Sequence, residues 1–328
     1  MNAMIRIAAG CIAPAVLALN AAAAQAPDKP AGYPVRPIRL IISVAPGAGA
    51  DMIARATAQM LTDRWGQNAV VDSRPGGGGV VAVELTARAA PDGYTLLQYG
   101  DAMALIGAQK RVPFDVLKTF EPVVASSTQP YVLLTHLSVP AKTIKEAIVL
   151  SAAKPLTYGG GGGVGATVNV GMERLGLVSG MKLKYVSYKG SAPAILALMG
   201  GEINMACSSA MAATGAIRTG KVRGLATLGP KRALSLPDVP TIGEQGIANY
   251  ALTNRYNVWV PTGTPRPIIT AINRVVTEGM NSPEMVQRLA NEGSEPAARM
   301  TPEELKAVFA KEYAEVEKTI QTLNLKSK

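Results

Sequence analysis

Two short stretches place small residues where the chain is expected to turn from a strand into a helix, presenting bare backbone N–H groups to an anion. The first is Pro46-Gly47-Ala48-Gly49-Ala50-Asp51. The second is Gly161-Gly162-Gly163-Val164-Gly165-Ala166-Thr167, preceded by Gly159 and Gly160. Minimal side chains let a ligand approach the amides, and a helix start adds partial positive charge. The same residues suit a plain tight connection, with Asp51 as the cap of the first helix, and at this level both readings stand. A third turn, Lys189-Gly190-Ser191-Ala192, has the same form, with Ser191 expected to cap the helix beginning at Ala192.

Gly160, Gly162 and Gly165 spell G-x-G-x-x-G. A dinucleotide site also needs an acid at the end of the following strand, and Lys184-Tyr185-Val186-Ser187 offers none. No Gly-Lys-Ser/Thr occurs, so there is no P-loop, and no cofactor is expected. Catalytic sets are missing too. The single histidine, His136, follows an apolar run and precedes Ser138-Val139-Pro140, which reads as a surface turn. A triad would have to use it, yet there is no Gly-x-Ser-x-Gly elbow, and one histidine leaves little to ligate zinc. Glu303, Glu304, Glu312, Glu315 and Glu317 fall on the last helix, where a solvated face is expected. Nothing here asks for an enzyme.

These groups must be carried by some 300 residues of exported chain. Residues 1–26 read as a secretory signal: Arg6, a short apolar core, and a small-residue tail that permits cleavage after Ala24 or Ala26. Cys11 lacks a lipoprotein setting, and its removal with the signal leaves Cys207 without a disulfide partner. The formal charge of +10 falls to +9 with Arg6 gone. Lys and Arg are scattered and not interleaved with aromatics, which argues against nucleic acid and suits a small anion.

Periodicity gives an α/β chain. Residues 38–44 form a strand, and a helix with Ile53, Ala56, Met60 and Leu61 on one face ends at Gly66. Strands at 69–72 and 94–99 flank a helix at 80–89. The alternation repeats from residue 131, with strands at 131–135, 156–158 and 182–187 and helices at 144–153, 167–177 and 192–200. Strands alternating with helices at this spacing mean parallel sheets covered on both faces. A helix over 302–323 should return to the first half, with crossings near 121–130 and 249–260. The expected units are 27–125 plus 250–328, and 126–249. Ligands of open parallel sheets bind beyond the carboxyl ends of the strands, and here two such edges would face each other.

Several stretches then come together in order: Tyr33-Pro-Val-Arg-Pro-Ile-Arg, the first turn, Asp72-Ser-Arg-Pro-Gly-Gly-Gly-Gly, Ala89-Ala-Pro-Asp-Gly-Tyr-Thr-Leu-Leu, Tyr188-Lys-Gly-Ser-Ala-Pro-Ala, Leu236-Pro-Asp-Val-Pro-Thr and Gly263-Thr-Pro. With this set, nearly all of the mature chain resembles the tripartite tricarboxylate transporter receptors, the Bug-type extracytoplasmic solute-binding proteins. The resemblance implies a two-domain, Venus-flytrap periplasmic binding fold with a two-stranded hinge. It implies a small carboxylate ligand, held by amides and waters at the first and second glycine-rich turns, with residues 188–192, Ser208 and Ser209 lining the second lobe. It also implies a small and a large membrane subunit as transport partners. A receptor that signals through a membrane sensor protein is the alternative reading, and a monomer is expected. The chain departs from the usual pattern at Asn169, where relatives carry histidine, at Ser208, at Arg255 and at Asp101. Arg255 could meet a second ligand carboxylate, Asp101 could hold a ligand ammonium, or the two could pair with each other across the lobes.

Overall fold

One strand sets the architecture. In the computed structural model, which describes residues 29–325 other than 45, 47–48, 162–163, 189 and 292, that strand belongs to both halves of the molecule. The signal segment and Gly47, Ala48, Gly162, Gly163 and Lys189 lie outside the described residues.

The first half runs β1 (Ile38–Ile42), α1 (Gly49–Trp65), β2 (Ala69–Ser73), α2 (Val80–Ala87), β3 (Thr95–Gly100), α3 (Ala102–Ala108) and α4 (Val116–Thr119). The shared strand β4 (Phe120–His136) follows. The second half holds α5 (Ile144–Ala153), β5 (Leu156–Gly161), α6 (Thr167–Ser179), β6 (Leu183–Tyr188), α7 (Ser191–Met199), β7 (Met205–Ser209), α8 (Ala210–Arg218) and β8 (Val222–Thr227). The chain returns through β9 (Thr253–Pro261), α9 (Arg266–Met280), α10 (Pro283–Asn291), β10 (Glu295–Pro296) and α11 (Pro302–Leu323).

β1 pairs in parallel with β2 and β3, and β9 joins β3 antiparallel. The first part of β4 lies against β9, whereas its last residues lie between β7 and β8. β5 then pairs in parallel with β7 and β6. Thus β4 and β9 are the two strands that cross between the halves, and each half is mixed. β1–β3 and β5–β7 run parallel, whereas β4, β8, β9 and β10 pair antiparallel, so the expectation of parallel sheets holds only for the βα repeats. The sequence reading finds a strand only at 131–135, because Pro122 and Pro130 interrupt the apolar pattern before it. The structure accommodates this with register shifts at Pro122/Val124 and Ala125/Ser127.

Each sheet is covered on both faces, which explains why Leu40, Ile41 and Ile42 are apolar in succession; Arg39 is the one charged residue of β1. In the first sheet Leu40, Ile42 and Val258 face α1 and α9, while Ile41, Leu97 and Trp259 face α2, α3 and α11. α11 does return to the first half: Phe309 meets Trp259 edge-on, with ring centroids 4.7 Å apart. A capping box between Thr301 and Glu304, with Pro302 in the first turn, fixes where that helix starts.

Two local expectations are corrected. Ser191 is the first residue of α7 and not its cap; Gly190 holds the cap position at φ 134° and no side chain caps the helix. Such a φ is strained for a residue with a Cβ, so glycine takes the place expected of serine. Gly159, Gly160 and Gly161 are the end of β5, not part of the turn. Their hydrogens make room for close packing. A Cβ on Gly160 would stand 2.3 Å from Val168 Cγ1, and one on Gly161 3.2 Å from the Gly190 backbone and the Ser191 nitrogen.

Candidate functional site at the strand ends

The first turn leaves β1 through Ser43 and Val44 and enters α1 at Gly49 and Ala50. Ser73 at the end of β2 donates its hydroxyl to Val44 O and pins the turn. Asp51 lies in the first turn of α1, buried, and accepts from Arg55 Nε at 2.9 Å. Ser43, Val44 and Ala50, on either side of this turn, border a cavity of about 170 Å³ together with Gln98, Asn254 and Tyr256 among others.

The second turn leaves β5 at Gly161 and enters α6 at Thr167. Ala166 is the N-cap and supplies no side-chain bond, so the helix start keeps unpaired amide capacity for a ligand. Asn169 shapes this turn. Its Oδ1 accepts from Gly165 N at 2.8 Å and its Nδ2 donates to the Tyr158 hydroxyl at 2.9 Å. Tyr158 in turn donates to Glu173 Oε1 at 2.8 Å. Gly165 sits at φ 80°, and its carbonyl accepts from Gln109 Nε2 at 2.6 Å, a bond from just past α3 in the first half. Val164 is exposed on the rim of the turn.

The second and third turns abut, since the backbone of Gly190 and Ser191 lies against Gly161, with Ala192 exposed beside them. Ser208 lies on β7, the parallel neighbour of β5, one residue after Cys207, whose carbonyl oxygen is 3.4 Å from where a Cβ on Gly160 would stand. It is 1 % exposed, paired within the sheet opposite Val132, and Ser209 is the half-exposed residue at the strand end.

Asp101 and Arg255 do pair, but within the first half and not across the lobes, because β3 and β9 are neighbouring strands. Arg255 Nη2 donates to Asp101 Oδ1 at 3.0 Å, and its backbone N–H donates to Asp101 Oδ2 at 3.1 Å. Nη1 and Nη2 also donate to the two oxygens of Glu312, at 3.1 and 2.5 Å, and Nε donates to Asn257. One cation therefore serves two carboxylates. Burial pushes the Asp101 carboxyl up to about 7; Arg255 opposes that rise and Glu312 adds to it. Glu312 and Glu315 correct the expectation of a wholly solvated acidic face on α11, for Glu315 pairs with Arg174 of α6. Asp101 and Glu312 line a space of about 100 Å³ together with Thr167 and Arg174, so α3, α6 and α11 meet there. Leu105, Val170 and Ile320 form the apolar part of that contact.

His136 ends β4, with its Nδ1 hydrogen-bonded to Ser138 Oγ at 2.7 Å, away from these turns. The sequence reading missed Gln98, Gln109 and the inward role of Glu312. Gln98 alone left a visible signal, a polar residue inside the apolar run Thr95–Gly100.

Known proteins agree with this architecture. Residues 53–325 match TctC, the tripartite tricarboxylate transporter family receptor. The protein BugT of Bordetella pertussis is 32% identical over 284 residues, covering 85% of this chain and 87% of its own. A Rhodopseudomonas palustris protein solved with adipate superposes with a TM-score of 0.70 at 28% identity, over 90% of this chain and 99% of its own. MatC of the same organism, with bound malate, superposes with a TM-score of 0.67 at 26% identity, over 88% and 100% of the two chains. The fold is that of the two-domain periplasmic binding proteins, and members of the family are substrate-binding receptors in the periplasm and not enzymes. This chain belongs to the tripartite tricarboxylate transporter receptor family.

Proposed function

We propose that this receptor captures a small carboxylate in the periplasm, between lobes formed by 27–125 plus 250–328 and by 126–249, and presents it to membrane subunits for uptake. The observation that carries the reading is the pair of glycine-rich turns, one in each half, each joining the carboxyl end of a parallel strand to a helix start. Amides of residues 46–51 would take the carboxylate from one side, and amides of 161–167 and 190–192 from the other. The dicarboxylates bound to two structural relatives support that ligand class. The signal-like first 26 residues support the location.

Closure follows if the ligand touches both turns at once, since only contacts made better in the closed state shift the equilibrium towards it. Arg255 is held by Asp101 and Glu312, so in this reading it braces the crossing strands and the backbone amides carry the ligand charge. A thermal-shift screen of the protein purified from the periplasm, against mono-, di- and tricarboxylates and amino acids, tests this. At 100 times its dissociation constant the correct ligand stabilises the fold by about 2.7 kcal/mol. A flat response to every carboxylate would remove the proposal.

A further inference from the structure

Gln98 sits on β3, 3 % exposed, and neither its amide oxygen nor its amide nitrogen has a hydrogen-bond partner. Buried amides are rarely left so, because each unpaired group has lost its water and gained nothing in return. Gln98 is one of the residues that border the cavity of about 170 Å³ next to Ser43, Val44 and Ala50. That volume exceeds the roughly 30 Å³ share of one water molecule, so there is room for the end of a small ligand. Asn254, also at the cavity, donates from Nδ2 to the Tyr256 hydroxyl at 2.9 Å and makes no hydrogen bond to the Gln98 amide.

The cavity's chemistry narrows what fits. An amide offers a donor and an acceptor side by side, so its complement carries an acceptor next to a donor. A carboxylate oxygen is the acceptor, directed there by the start of α1 above it. The donor is a hydroxyl and not an ammonium, because no carboxylate borders the cavity among the described residues. The nearby Asp51 is already tied to Arg55. We infer that Gln98 reads a hydroxyl adjacent to the ligand's carboxylate, so that the receptor selects 2-hydroxycarboxylates over their unsubstituted counterparts. Nε2 donates to the carboxylate and Oε1 accepts from the hydroxyl. This rests on the carboxylate-receptor reading above and specifies the ligand class within it.

The test compares succinate with 2-hydroxysuccinate, and glutarate with 2-hydroxyglutarate, by titration calorimetry on the wild-type protein and on Gln98→Met. A site built around a hydrogen-bonded hydroxyl discriminates strongly against the analogue lacking it. The wild type should prefer the hydroxy acid of at least one pair by about tenfold or more, and in Gln98→Met the preference should shrink to within about threefold. The ligand-free melting temperature of Gln98→Met should rise, because an unpaired buried amide is replaced by an apolar side chain of similar length. Equal binding of both members of each pair by the wild type overturns the inference without needing the variant, and leaves the carboxylate reading intact. A preference that survives Gln98→Met overturns it as well, with water as the partner of the amide. Failure of all four acids to bind the wild type overturns this ligand class, and the broader screen then decides the carboxylate reading on its own.

Discussion

Arg255→Ala should lower the stability of the protein by about 3 kcal/mol at neutral pH, among the largest single-residue effects expected here. The substitution leaves Asp101 and Glu312 facing each other without their cation, in a space where Asp101 keeps only 18% of its side-chain exposure. Glu312 keeps 37% and so retains some water, which places the effect at the lower end of what breaking a buried pair costs. Arg255→Lys should recover only part of the loss. A single ammonium cannot reproduce the fork that reaches Asp101, Glu312 and Asn257 together. Denaturant unfolding measures this, and a loss under 1 kcal/mol for Arg255→Ala would show that the cluster contributes little.

The same cluster sets a pH dependence whose sign is opposite to the usual carboxylate case. The folded-state pKa of Asp101 is raised to about 7, above its ordinary 3.8. Between those values the folded protein binds more protons than the unfolded chain, so this group's contribution to stability declines as pH rises from about 4 to about 7. Asp101→Asn should flatten that part of the profile. In Arg255→Ala the decline should extend above pH 7, because the cation that opposes the rise is gone, and part of the lost stability should return near pH 5. A profile unchanged by Asp101→Asn would assign the titration to another group.

The second large effect is expected at Gly160. Its missing Cβ would come within 2.3 Å of Val168 Cγ1 in the first turn of α6. Val168 is 4 % exposed and packed in the core of the second half. Gly160→Ala should cost about 1–3 kcal/mol through overpacking. It should also weaken ligand binding by about tenfold, a loss of roughly 1.4 kcal/mol of contact, because the helix start that carries the second turn must shift. Adding Val168→Ala removes the clashing methyl and should restore most of both. Unimpaired ligand binding in Gly160→Ala would mean that the turn does not hold the ligand.

Much of this protein was legible locally. The helix over Ile144–Ala153 and the last helix, Pro302–Leu323, have the bounds that their caps and apolar spacing indicate, since those signals act within a few residues. The first βα unit was readable for the same reason: Gly66 at φ 70° ends a helix whose Ile53, Ala56 and Leu61 are buried. Ser191 misled because serine and glycine both serve as caps, and only the backbone conformation at Gly190 tells them apart.

What the sequence by itself determined was the alternation of strands and helices in the two βα repeats, the last helix, and the two glycine-rich stretches between strand and helix. These follow from side-chain type and short-range spacing. The tertiary structure alone decided which distant residues meet. Asp101 and Arg255, 154 positions apart, touch because β3 and β9 are hydrogen-bonded neighbours, and Glu312 joins them because the aromatic contact of Phe309 with Trp259 fixes how α11 lies. Gln98 is the same kind of case: one polar residue in an apolar run carries no meaning until the fold sets it at a cavity beside Ser43, Val44 and Ala50 with its amide unpaired. Burial and partnership are properties of the folded chain, set by pairings between segments far apart in sequence, and local spacing holds no record of them.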